Sequence, residues 1–255
     1  MIKGLYSAFT AMEAAWRYQD VLANNIANAN TVGFKREIAS LVPLGDVPIS
    51  QQAPVPAPLS ARIQAVVGQV GTGKFVADFV TDFQQGMLRQ TGLELDLALS
   101  AGFFAIRDEA GNVFYTRDGR FQRDAAGSLV TSAGYYILGE DGNPITLPPT
   151  PVTVGPDGAI RDDNGNEVAR LRIRDFAPLQ LARAGDAYFR ALDGAEGIPL
   201  ADPGLRQGYL ESSNANLVEE LTSLLAVQRV YQASQAVLAR LDTTLDQASG
   251  ELGRL

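Results

Sequence analysis

Three stretches of this 255-residue chain carry residue types at spacings that serve chemistry in other settings. Glu94 and Asp96 alternate within Leu93–Leu99, a run that predicts a strand, so both carboxylates fall on one side of it. Such a pair can do acid–base work on a glycosidic bond, which makes a cell-wall hydrolase the catalytic reading. No aromatic cluster accompanies them to build a sugar cleft, and two acids on a solvated strand edge account for the same pattern. Gly68 to Lys74 (GQVGTGK) has the glycine and lysine spacing of a phosphate-binding loop. Phe75 then stands where a magnesium-binding Ser or Thr belongs, and Lys74–Thr81 reads as a strand where a phosphate site needs a helix. A glycine-rich turn is expected. Asp162, Asn164 and Asn166 resemble the start of a calcium loop, but Gly165 precedes the position an EF-hand needs and no Glu closes the set. A solvated β-turn is expected there.

Composition narrows the chemistry further. The chain has no histidine, which removes the commonest general base, the commonest transition-metal ligand and every Ser-His-Asp triad. It has no cysteine, hence no thiol nucleophile and no disulfide. A net charge of −8 without clustered Lys or Arg argues against nucleic acid as a partner. Apolar content of 46% and charged content of 20% fit a folded chain with a sizeable core. No run approaches the roughly 18 uncharged apolar residues of a membrane span, so no membrane insertion is expected. Lys3, Glu13, Arg17 and Asp20 interrupt the N-terminus, which does not read as a cleaved secretory signal.

The elements that position these residues are unevenly distributed. Both ends read as helices and the middle does not. Near the N-terminus Leu5, Ala8, Met12, Ala15, Gln19, Leu22 and Ile26 are three and four apart, with small residues at Ala8 and Ala15 that admit a second helix closely. The pattern should stop between Asn28 and Gly33. Toward the C-terminus Leu217 and Leu221 supply further apolar positions, and Leu224, Val227, Tyr231, Ser234, Leu238, Leu241, Leu245, Ala248 and Leu252 alternate in threes and fours as a coiled-coil seam does. Asn216 and Glu219 have capping-box spacing at its start. A helix over Leu217–Leu252 is about 54 Å long at 1.5 Å per residue, and a rod of that length needs a partner along its seam.

The fold expectation is therefore α+β: long N- and C-terminal helices pairing as a coiled coil, with a central antiparallel all-β domain. We divide the chain into 1–40, a helical assembly segment; 41–60, an extended connector holding Pro43, Pro48, Pro54, Pro56 and Pro58; 61–204, the β domain; and 205–255, the C-terminal helix. Within the β domain, Asp108–Asn112, Asp118-Gly119, Asp124–Gly127, Asp141-Gly142, Asp157-Gly158 and Asp163–Asn166 are expected as hairpin turns.

Three blocks of sequence then carry a resemblance. Leu22 to Lys35 (LANNIANANTVGFK), with Asn24, Asn25, Asn28, Gly33 and Phe34, resembles the N-terminal signature of bacterial flagellar rod and hook proteins. The central run is similar to the same family: Leu95-Asp96-Leu97-Ala98, Gly102-Phe103-Phe104 and Tyr115-Thr116-Arg117-Asp118-Gly119. Gly208-Tyr209-Leu210-Glu211-Ser212-Ser213-Asn214 resembles its C-terminal motif. One departure is Ser100-Ala101-Gly102, which lacks the first glycine of the family's Gly-x-Gly before the double Phe. The resemblance implies a structural, non-enzymatic subunit with no cofactor and no metal. Such subunits leave the cell through the flagellar type III export apparatus without a cleaved signal, assemble with copies of themselves beneath a rod cap, and meet other rod, hook and ring proteins in the basal body. Paired terminal helices would surround the export channel. A length near 260 without a large insert implies a rod subunit, the distal rod first and the proximal rod as the alternative. A hydrolase using Glu94 and Asp96, or a binding module built on the β domain, are the readings from other classes.

Overall fold

The computed structural model describes residues 2–43, 47–52, 64–70, 74–177, 179–185, 187–192, 195 and 197–252. Helix α1 (Ile2–Ala27) and helix α2 (Leu217–Leu252) lie at the two ends, and short strands lie between them among the described residues. The class is α+β. Close contacts gather the chain into two compact units: Met1–Ala23 with Ile38–Val80 and Val218–Leu255, and Asn24–Glu37 with Thr81–Leu217.

The first unit contains most of both helices and four strands: β1 (Glu37–Pro43), β2 (Val47–Gln52), β3 (Gln64–Val70) and β4 (Lys74–Thr81). β1 pairs with β4, and β2 pairs antiparallel with β3, from Val47 opposite Val70 to Gln52 opposite Gln64. The proline-bearing segment expected as an extended connector is thus ladder-paired over Val47–Gln52, while residues 53–63 lie outside the described residues. Proline is compatible with this because its fixed φ suits an extended strand. A two-stranded ribbon also leaves one edge of each strand without ladder partners, where a missing N–H costs little.

The second unit is built from short strands: β5 (Leu88–Gln90), β6 (Leu97–Ala98), β7 (Phe103–Arg107), β8 (Val113–Thr116), β9 (Phe121–Arg123), β10 (Leu129–Thr131), β11 (Tyr136–Ile137), β12 (Thr153–Val154), β13 (Ala159–Arg161), β14 (Glu167–Arg170), β15 (Ile173–Asp175), β16 (Leu181–Arg183), β17 (Tyr188–Ala191), β18 (Ile198–Pro199), β19 (Arg206–Gln207) and β20 (Tyr209–Glu211). The main sheet runs β16-β17-β8-β7-β11-β10-β9, with β15 joining β7 and β18 joining β15. Smaller sheets are β12-β13-β14, β19-β6 and β20-β5.

β7 organises the core. Its run Phe103-Phe104-Ala105-Ile106 is apolar at every position, so both faces of the strand need cover. Phe104 and Ile106 pack with Leu97, Leu129, Ile137 and Ile160, whereas Phe103 and Ala105 pack with Tyr115, Phe176 and Phe189 on the other side. Ring edges meet ring faces in most pairs, Phe104 to Phe121 at 4.9 Å and Phe103 to Phe189 at 5.7 Å, while Phe114 and Tyr135 stack at 6.1 Å.

The hairpin loops have a common chemical cause. At Asp124 the carboxylate Oδ1 accepts the amides of Ala126 and Ser128, and Gly127, at φ +88°, donates back to the Asp124 carbonyl. Asp108 over Glu109–Asn112 and Asp162 over Asp163–Asn166 repeat these hydrogen bonds. A type I turn closed by a left-handed residue explains why Asp opens the loop and Gly sits three places on. Asp118-Gly119, expected as another such turn, is different. Its peptide runs against β6, with Leu97 donating to the Gly119 carbonyl at 3.0 Å, and a Cβ on Gly119 would fall 1.6 Å from the Leu97 carbonyl oxygen. Close backbone approach, not a reversal of direction, requires that glycine. Gly102, the retained member of the shortened glycine pair, is the residue at positive φ (+76°) immediately before β7.

Candidate functional site

The expected helix seam divides into distinct classes once its residues are placed. Ala15 and Leu22 of α1 pack against Val227 of α2, with Tyr18, Leu224 and Tyr231 completing the cluster. Gly4 lies opposite Leu241, so the helices run antiparallel along this contact. Ala8 is buried; Met12, Gln19, Ile26, Leu238 and Leu241 are half-buried. Leu5, Leu217, Leu221 and Leu245 are exposed, and the side chain of Leu252 lies outside the described residues. Leu217 and Leu221 miss the seam because they continue with Leu225 in steps of four, a row that drifts around α2 away from Val227.

A second apolar face remains on α1. Tyr6, Phe9 and Trp16, three and seven apart, are 58%, 52% and 57% exposed. They share that side of the helix with Glu13, which accepts a hydrogen bond from Arg17 at 2.7 Å. On α2, Val230 and Val237 are exposed one heptad apart. Large apolar side chains in such rows are normally covered by something.

In the second unit the three motif blocks converge on one buried ionic centre. The chain leaves α1 through Asn28, whose side chain bonds back to the Asn24 carbonyl and receives the Thr31 hydroxyl. Gly33 comes next at φ +69°, donating its amide to the Glu211 carbonyl; a Cβ there would stand 2.3 Å from the Asp118 nitrogen. Phe34 is fully buried beneath the Arg183 guanidinium, 4.8 Å from its ring. Lys35 is fully buried as well, and its Nζ donates at 2.6 Å both to Glu211 Oε1 and to the Gln84 carbonyl. Glu211 Oε1 also accepts the Gly86 amide at 2.8 Å, and Oε2 accepts Arg117 Nη1 at 3.2 Å. Arg117 reaches the Leu99 carbonyl and lies 5.0 Å above the Phe103 ring, its Nε a buried donor without a partner among the described residues. Burial pulls Lys35 and Arg117 below their ordinary values, with Glu211 opposing in both cases.

Further polar side chains surround this centre. Asn25 pairs with the Glu37 backbone through both amide atoms, and Asn214 does the same between the Arg36 amide and the Asp82 and Gln84 carbonyls. Arg183 also bonds Glu37 at 2.8 Å and the Lys35 carbonyl. Ser213 caps the turn before α2 by accepting the Ala215 amide. Of the motif residues singled out from sequence, Asn25, Gly33, Phe34, Phe103, Ser213 and Asn214 surround or build this junction. Asn24 and Asn28 shape the exit from α1, Phe104 belongs to the opposite core face, and the buried Asp96 bridges to Arg120 beside β6. Lys35, Arg117 and Glu211 were legible only as members of the quoted motifs. A charged residue within Gly-Phe-Lys or Tyr-Leu-Glu, flanked by residues that are themselves buried, is the signal that marks them.

The stretches that resembled catalytic or ligand sites fold otherwise. Glu94 and Asp96 do not alternate on one strand: Glu94 and Leu95 form a turn, and strand begins at Leu97. Glu94 accepts the Val152 amide at 2.5 Å, on the wall of an open groove of about 520 Å³. Residues 71–73 of the phosphate-loop match lie outside the described residues; their flanks are β3 and β4, and no helix succeeds them there. Asp162 spends its carboxylate on Asn164 and Asn166, the Asn166 amide foremost in holding its pKa below the ordinary range. Among the described residues no helix is long and apolar enough to cross a membrane, and no group of three or more acidic residues could hold a metal.

The two helices pack together yet keep further apolar faces exposed, and the strand-rich unit closes around a buried ionic centre. Comparison with known proteins gives the class of protein to which these features belong. Residues 5–35 match the family described as Flagella basal body rod protein, 100–162 the Flagellar hook protein FlgE/F/G D1 domain, and 206–251 the Flagellar basal body rod FlgEFG protein C-terminal. The chain is 34% identical to flagellar basal-body rod protein FlgF of Caulobacter vibrioides over 100% of its own length and 98% of the relative's. It is 31% identical to FlgG of Borreliella burgdorferi over 98% of both chains. It is 32% identical to FlgG of Bacillus subtilis over 97% of this chain and 98% of the relative. The chain belongs to the flagellar basal-body rod protein family.

Proposed function

We propose that this chain is a structural, non-catalytic subunit of the basal-body rod that polymerises helically through its terminal helices, lines the export channel and transmits torque. The distal rod is our first assignment and the proximal rod the second. The observation that carries the proposal is the division of labour on the helices. The Ala15, Leu22 and Val227 face is consumed within one chain, while Tyr6, Phe9, Trp16, Val230 and Val237 remain for neighbouring copies. The steps of three and four along the inner face support a short coiled-coil pairing of α1 with α2. A contact between unlike faces repeats without closing and therefore builds a helix of subunits. Other rod and hook proteins, the ring proteins, the rod cap and the type III export apparatus are the partners this role requires, with export independent of a cleaved signal.

Electron microscopy of basal bodies from a strain lacking this gene tests the assignment. A rod truncated before the hook is expected, and the length of the stub separates distal from proximal. Intact rods carrying hooks would overturn it.

A further inference from the structure

The geometry of Lys35, Arg117 and Glu211 points to a latch: we propose that this buried centre closes only after the main sheet has folded, and that it then fixes together the segment leaving α1 and the segment entering α2. Lys35 and Glu211 are 176 residues apart in sequence, and Arg117 is 94 residues from Glu211. No local structure brings any two of them together. Arg117 comes directly after β8, inside the main sheet, and its guanidinium rests on Phe103 of β7, so its position reports that the sheet is formed. Lys35 belongs to the stretch after α1, and Glu211 ends β20 six residues before α2. One carboxylate therefore receives one cation from each of two other segments.

The cost of an incomplete set makes the device conditional. All three charged side chains are withdrawn from water, Lys35 and Glu211 completely. A buried charge without its partner is strongly unfavourable, whereas the completed and hydrogen-bonded group is roughly neutral against an apolar equivalent. A chain in which one segment has not arrived gains by staying open and hydrated. When the centre closes, the same Glu211 binds Gly33 through its carbonyl and Gly86 through Oε1, and Ser212 donates to Met87, so several backbone contacts form together. The device adds to the rod assignment a reason why the roots of both helices remain loose in a chain that has not finished folding. It does not depend on that assignment.

Hydrogen exchange read residue by residue by NMR on the full-length purified chain tests it. Glu211→Gln keeps an oxygen for Gly86 but removes the charge, leaving Lys35 and Arg117 unneutralised. Exchange at Gly33, Gly86 and Ser212 is expected to rise on the order of 100-fold or more, with Ala105 and Leu129 of the main sheet unchanged. Lys35→Met leaves Glu211 paired with Arg117 and should give a smaller rise at the same amides. Lys35→Met combined with Glu211→Gln should exchange more slowly at those amides than Glu211→Gln alone, because one stranded cation has been removed. A side chain that merely fills space would make the double variant worse. Unchanged exchange in Glu211→Gln, loss of protection throughout the sheet in both single variants, or a double variant faster than Glu211→Gln would each overturn the latch.

Discussion

The junction around Glu211 and the pairing of α1 with α2 solve the same task, holding distant parts of one chain together, by opposite means. The junction is polar, long-range and closed: Lys35, Arg117, Asn25 and Asn214 each have named partners at hydrogen-bond distance. The helix pair is apolar and built on small residues, and it is open, since the same helices leave Tyr6, Phe9 and Trp16 in water. Directional bonds specify a single arrangement and leave nothing for a neighbour. An apolar face specifies less and can be extended by any complementary surface. Under the proposed rod assignment, keeping the two kinds of contact in different places lets one subunit be unique inside and adhesive outside.

The sharpest break in this comparison is at Gly33. Alanine there meets the Asp118 nitrogen and must adopt a positive φ, so Gly33→Ala should cost about 3–5 kcal/mol from strain and overpacking together. Thermal unfolding followed by aromatic circular dichroism should show the loss in the sheet-bearing unit. Little change would mean that the junction yields where its hydrogen bonds indicate it cannot. On the other side of the comparison, Leu22 is 2% exposed against Val227. Leu22→Ala should cost about 2–3 kcal/mol and appear as lost helicity in the far ultraviolet, with the aromatic signal of the sheet retained. Coincident loss of both signals would show that the two regions do not act separately.

Legibility in the sequence divides along the same line. The hairpin loops announce themselves because each cause lies within five residues: Asp124 accepts the amides ahead of it and Gly127 supplies the left-handed position. The helix bounds are legible for a similar reason, with Asn28 and Asn216 standing just outside α1 and α2. Glu94 misled because an alternating acid pattern suits both a strand and a turn, and the Val152 amide 58 residues away decides between them. The ionic centre was least legible of all. Nothing near Lys35 in sequence says that its partner is Glu211, and the motifs named the segments without naming the bond. Likewise, spacing located the apolar residues of α2 but could not distinguish the row facing α1 from the row through Leu217, Leu221 and Leu225, since the distinction depends on the partner.

A gentler probe of the closed region uses pH. Burial, opposed by Glu211, sets the Lys35 ammonium below its ordinary value of 10.5. In the interval between its folded value and 10.5, the folded chain has released a proton that the unfolded chain still holds. Stability linked to this residue therefore rises with pH there and is lost as pH falls through the folded value. Subtracting the profile of Lys35→Met from that of the natural chain isolates this contribution from the tyrosines and other lysines. Urea unfolding at a series of pH values should give a difference that grows in favour of the natural chain as pH approaches 10.5. A flat difference would mean that Glu211 compensates the burial of Lys35 completely.

The smallest effect on the isolated chain should accompany the largest effect on assembly. Phe9 and Trp16 are more than half exposed, and the contacts that hold α1 to α2 lie on Ala15 and Leu22. Replacing both with Glu removes apolar surface from water rather than from the core, so the melting curve should shift by no more than about 0.5 kcal/mol per site. The change nevertheless places two negative charges beside Glu13 and Asp20, on the face that our proposal assigns to a neighbour. A contact that depends on burying those rings cannot then form, since an unpaired charge carried into an apolar interface opposes association more strongly than the lost contact itself. Expressed in a strain lacking the natural gene, Phe9→Glu with Trp16→Glu should give a folded protein and no rod beyond the missing segment. Rods of normal length would show that these rings face solvent in the assembled state, and would shift the search to Val230 and Val237. A chain that loses its helicity would place Phe9 and Trp16 in the same class as Leu22, and the distinction between inner and outer faces of α1 would fail.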